Sequence, residues 1–96
     1  MEKNYVMTQK IVESNGEDKT LDTIIEKTLK LISALQEVKM CNKDEDYLKY
    51  TNAHKNACVR IAEAKISMLQ LEFLFDTDDI NKHFHNMIEY MGKIHE

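Results

Sequence analysis

No proline occurs in this chain, and its only glycines are Gly16 and Gly92. This constrains the fold more than any other feature. Proline removes a backbone donor and glycine weakens a helix interior, so a chain with almost none of either can be helical from end to end. Strand signals are missing as well: no run of alternating Val, Ile and Thr is bounded by turn residues. The expected class is all-α.

Helical spacing of apolar residues then divides the chain into four segments. The first helix is expected over Asn4–Ser14, with Tyr5, Val6, Gln9 and Val12 near one stripe and a left-handed stop at Asn15–Gly16. The second is expected over Thr20–Lys39, burying Leu21, Ile24, Ile25, Thr28, Leu31, Ile32, Leu35 and Val38. A third, capped by Asp44, is expected to reach Phe75, with room for a kink near Thr51–Asn52. It carries two apolar stripes: Ala57, Ile61, Ala64, Met68, Leu71, Phe75, and Cys58, Ala62, Ile66, Leu69, Phe73. One stripe packs within the chain, so the other calls for a second copy, with Ile66, Leu69 and Phe73 as the interface. The acidic run Asp76–Asp79 opens a last helix, Ile80–Ile94, burying Ile80, Phe84, Met87, Ile88, Met91 and Ile94. Four helices on short links read as a four-helix bundle. The 96 residues make a single domain. A domain this small buries only about 60–65 % of its unfolded surface, which favours a homodimer or homotetramer.

Composition excludes several classes. The net charge of −4 argues against bulk nucleic-acid binding. The absence of Trp and the few other aromatics argue against a single-strand stacking platform. No apolar run approaches the ~20 residues of a membrane span. Cys41 and Cys58 form neither a metal spacing nor a disulfide framework, and no apolar segment follows Met1, so a cytoplasmic location is expected. His83 and His85, two residues apart, point to different sides of a helix and make poor joint ligands. Asp44–Glu45–Asp46 lacks the glycine and spaced acids of a calcium loop. No metal and no cofactor is expected.

Three segments carry a resemblance. Gln9–Leu35 contains a short first helix, a Gly16–Glu17 turn and an apolar Leu31-Ile-Ser-Ala-Leu35 run. Val59–Phe75 contains Arg60-Ile-Ala-Glu63 followed by an apolar helix, and Ile88–Ile94 contains Tyr90 and Lys93. In order and spacing, residues 9–94 resemble the phage-type MazG-like nucleoside-triphosphate pyrophosphohydrolases. That family places an EExxE cluster on one helix opposite an ExxD cluster on the next. Carboxylates so spaced hold hard divalent cations through oxygen, and Mg²⁺ bridges the phosphates of the substrate.

Here the pattern is altered. Glu26 and Glu63 match, but Lys27, Lys30 and Arg60 replace carboxylates. Two carboxylates and three cations stand where the family has five carboxylates, a combination that repels Mg²⁺. The resemblance therefore implies a catalytically inactive member. One reading is that Lys27, Lys30 and Arg60, with Lys93, neutralise the phosphates of a nucleotide or nucleotide-derived signal directly, supported by Glu26, Glu63 and Tyr90. The similarity to short phage-borne members extends this to a counter-defence role. A second reading pairs the four charges Glu26, Lys30, Arg60 and Glu63 as a salt-bridge seam and makes the chain a protein-interaction module. The third, a weakly active pyrophosphohydrolase, has no rebuilt two-metal site to support it: Glu37 and Glu72 lie turns away from Glu26 and Glu63.

Overall fold

The computed structural model describes residues 2–95. It contains four α-helices and, among these residues, no strand: α1 (Glu2–Asn15), α2 (Glu17–Met40), α3 (Tyr47–Leu74) and α4 (Thr77–Ile94). The all-α class read from the missing prolines is present, and none of the four helices is long and apolar enough to cross a membrane.

Local chemistry sets the boundaries. Gly16 has φ 82° and ψ 168°, a combination open to glycine and costly for residues with a Cβ. Its N–H donates to the Val12 carbonyl at 2.9 Å and its carbonyl accepts from the Thr20 N–H at 3.1 Å. One residue thus ends α1 and begins α2. The expected left-handed stop is right in the sign of φ, but ψ is extended rather than helical. In the link to α3, Asn42 Oδ1 accepts from the Asp44 N–H at 2.9 Å, which holds Asp44 in a turn. The cap falls to Asp46, whose Oδ1 accepts from the Lys49 N–H at 2.9 Å, two residues later than expected. Asp76 caps α4 through the Asp79 N–H at 3.1 Å. α3 runs unbroken through Thr51–Asn52, where Thr51 Oγ1 donates to the Tyr47 carbonyl at 2.9 Å.

The core is the seam of an α2–α3 hairpin. From α2 it takes Thr20, Ile24 and Ala34, which are buried, and Lys27, Leu31 and Val38, which are half-buried. From α3 it takes Ala53, Ala57 and Ser67, which are buried, and Tyr50, Arg60, Ala64, Leu71 and Leu74, which are half-buried. Both sets alternate steps of three and four residues, the spacing of a coiled-coil seam. Alanine and serine dominate the middle of α3, so the α2 backbone can approach closely; Ala53 is 2 % exposed and Ser67 1 %. α1 lies across the open end of the hairpin. It buries Thr8 and Val12 and brings the Tyr5 ring to 4.7 Å from Phe73.

Several packing expectations are corrected. On α2, Ile25, Ile32 and Leu35 are exposed, because the seam runs through Thr20, Ile24 and Ala34, with Ile25 and Ile32 well round the helix from it and Leu35 at its flank. On α3, Ile61, Met68 and Phe75 flank the seam and are exposed, small residues having taken the inner positions. Phe73 lies against Tyr5 of its own chain, so the stripe assigned to a second copy is partly used internally. Leu69 is half-buried and Ile66 remains 47 % exposed. The largest difference is α4: none of its residues is buried, and it packs appreciably on none of the other three helices. The packed unit is α1–α3.

The seam makes opposite predictions for two small residues. Ala53→Leu forces bulk into the close approach and should cost about 1–3 kcal/mol. Ser67 Oγ is buried with no hydrogen-bond partner, so Ser67→Ala should raise stability by about 1 kcal/mol. Urea melts of both variants decide; an Ala53→Leu variant as stable as the parent would contradict the close seam.

Candidate functional site

Midway along the hairpin the small-residue seam is interrupted by charge. Lys27 occupies a seam position on α2 and Arg60 one on α3, with Glu63 one turn further along α3. Glu63 is the centre of the group. Its Oε1 accepts from Arg60 Nη1 at 2.8 Å, and its Oε2 lies 3.6 Å from Lys27 Nζ across the helix pair. The three side chains are 29 % (Arg60), 25 % (Glu63) and 35 % (Lys27) exposed, partly withdrawn from water but open on one side.

This geometry shapes the electrostatics. The Arg60 hydrogen bond is the largest influence on Glu63 and holds its carboxyl below the usual carboxylate range. Partial desolvation opposes that shift, and the charges of Arg60 and Lys27 reinforce it. Glu26 and Lys30 stand one step outside the seam as an exposed pair, Lys30 Nζ to Glu26 Oε1 at 3.3 Å on consecutive turns of α2. Three cations and two carboxylates leave this side of the hairpin formally positive in a chain of net charge −4.

Of the residues singled out in the sequence, the fold brings Lys27, Arg60 and Glu63 together and sets Glu26 and Lys30 beside them. Tyr90 and Lys93 are elsewhere. Both are exposed on α4, where Lys93 Nζ lies 3.7 Å from Glu89, and α4 is not packed against the hairpin. Among the described residues, no three His, Cys, Asp or Glu side chains cluster in a way that could hold a metal ion. His83 and His85 are exposed, His83 facing Asp79 at 3.5 Å. Cys41 and Cys58 are free thiols.

Two features escaped the sequence reading. One is the register of Lys27 and Arg60 within the seam. The spacing of Ala53, Ala57, Ala64 and Ser67, with Arg60 between, marks it, whereas the stripe drawn through Ala57 and Ala64 follows the larger Ile61 and Met68. The other is a shallow depression of about 360 Å³ near the α2–α3 link, lined by Ser33, Gln36, Glu37, Met40, Cys41 and Lys49. It holds none of the charged layer, and no single sequence signal marks it.

Comparison with protein-family models, with curated proteins and with solved structures gave no match.

The depressed Glu63 pKa fixes a pH dependence. A carboxyl whose pKa is lower folded than unfolded contributes stability above its unfolded value and loses it as pH falls through the folded one. As pH falls below the ordinary carboxylate range, the parent should therefore lose stability more steeply than Glu63→Gln does. Thermal melts over that fall in pH check this. Parallel curves would mean that Glu63 is not held by Arg60 and Lys27 in solution.

Proposed function

We propose that this chain binds a phosphorylated small molecule, a nucleotide or a nucleotide-derived signal, without a metal ion, at the Lys27–Arg60–Glu63 layer. The observation that carries this reading is the convergence of Lys27 and Arg60, from two helices, on one half-exposed carboxylate. A guanidinium offers phosphate parallel N–H donors in a fixed plane, and an ammonium adds a point charge. Glu63 orients Arg60 and offsets part of the cationic repulsion while the site is empty. Lys30 stands at the rim, where its partner Glu26 is exposed to water and holds it only weakly.

The resemblance to the MazG-like pyrophosphohydrolases adds to this reading. In such a scaffold the seam between the two central helices is the nucleotide site, and replacing carboxylates by Lys27, Lys30 and Arg60 abolishes Mg²⁺ binding and hydrolysis while keeping phosphate contacts. The chain is then a catalytically inactive, homo-oligomeric member that sequesters its ligand, a chemistry suited to counter-defence in a phage. A second reading has its own support: Lys27, Lys30 and Arg60 each already have a carboxylate within 3.6 Å. On that reading the layer is only a salt-bridge seam, and the chain is a protein-interaction module.

Thermal shifts with inorganic pyrophosphate, nucleoside triphosphates and cyclic dinucleotides, each with and without Mg²⁺, separate the readings. A ligand at 100 times its dissociation constant adds about 2.7 kcal/mol of stability. The expected result is a metal-independent rise in Tm that disappears in Lys27→Glu and Arg60→Glu. A rise only with Mg²⁺ would support a weakly active pyrophosphohydrolase, and no rise with any ligand would leave the interaction module.

A further inference from the structure

The most amphipathic helix of the molecule covers nothing. Ile80, Phe84, Met87, Ile88, Met91 and Ile94 recur at three- and four-residue steps along α4 and form one apolar face. Their exposure runs from 37 % at Ile80 to 62 % at Met87. A face this regular is stable only against a partner surface.

The area of the chain indicates how large that surface is. A folded monomer of 11.3 kDa exposes about 5,700 Å². This chain exposes 7984 Å², an excess of about 2,300 Å² by the same relation. A standard interface removes about 800 Å² from each partner, and obligate dimers remove more. The radius of gyration, 16.9 Å, likewise exceeds the roughly 12–13 Å of a compact chain of this length. The internal core is small, its buried hydrophobic residues being Val12, Ile24, Ala34, Ala53 and Ala57. A chain with so little internal burial and so much excess surface has the proportions of one half of an obligate dimer.

Charge placement favours a second copy as the occupant. A two-fold interface brings the same patch together from both sides, so like charges on its borders would oppose each other. Asn81, His83, Tyr90 and Gly92 border the apolar face of α4, while Lys82, Asn86, Glu89 and Lys93 stand on the far side. Asp79, at one border, already faces His83 at 3.5 Å. A lipid surface fits less well, because the polar side of α4 mixes Asp78 and Glu89 with Lys82 and Lys93 instead of being basic.

We infer that α4 is an association arm: its apolar face, centred on Phe84, Met87 and Met91, is covered by a second copy of this chain. The inference stands independently of the nucleotide reading. It moves the main interface from the α3 stripe to α4, and leaves Ile66 an auxiliary contact at most.

Light scattering after gel filtration tests it on the full chain. The parent should have at least twice the 11.3 kDa mass of one copy. Phe84→Asp should halve the mass, and Lys82→Glu, on the far side of the helix, should leave it unchanged. Should Phe84→Asp fail to fold, dilution of the parent serves instead: its Tm should fall as protein concentration falls. A parent of single-copy mass, a Phe84→Asp variant that keeps the parent mass, or a Tm independent of concentration would each overturn the inference. A single-copy parent that floats with anionic phosphatidylserine vesicles would overturn it in favour of a lipid surface.

Discussion

The packing of α2 on α3 over a strip of small buried side chains is the constraint on which the rest depends. Ala53, Ala57, Ala64 and Ser67 give α3 a low surface, and Ile24, Leu31 and Val38 of α2 lie down on it. Small residues gain little from burial, about 25 cal/mol for each Å² of apolar area removed from water. The seam therefore fixes geometry more than it supplies stability. The larger side chains, displaced from it, stand at the surface: Ile25, Leu29, Ile32 and Leu35 on α2, Val59, Ile61, Ile66 and Met68 on α3. A hairpin built this way is well defined and poorly covered, and it needs α1 over one end and further surface elsewhere.

The same seam gives the charged layer its meaning. Lys27 and Arg60 could have been surface residues like most lysines and arginines. They occupy seam register instead, where a cation must find a counter-charge, and Glu63 serves both. Removing one member of such a group leaves another poorly compensated. An incoming phosphate satisfies both cations with more acceptor oxygens than one carboxylate has. The structural role and the proposed binding role thus use the same atoms, and the difference between them is whether an anion competes for Lys27 and Arg60.

Much of the fold was legible in the sequence, and the reason is physical. With no proline and two glycines, helix boundaries can fall only where caps and glycine put them, and Gly16, Asp46 and Asp76 do this. Which face of each helix turns inward was less legible. Hydrophobicity ranks Ile25, Ile32, Ile61 and Met68 above Ala34, Ala53, Ala57 and Ser67, yet the close helix pair selects for smallness. The site was legible in part. Residue type and spacing picked out Lys27, Arg60 and Glu63, and the fold brings them together. The resemblance puts Tyr90 and Lys93 with the phosphate contacts, but both stand exposed on α4, which is not packed against the hairpin.

The most direct test of the central claim is a backbone NMR titration of ¹⁵N-labelled protein with inorganic pyrophosphate in the presence of a chelator. The account predicts saturable amide shifts confined to two stretches, residues 26–30 of α2 and 59–64 of α3, that face each other across the seam. Absence of shifts, or shifts scattered over the other lysines of the surface, would contradict it and leave Lys27, Arg60 and Glu63 as structural ion pairs alone.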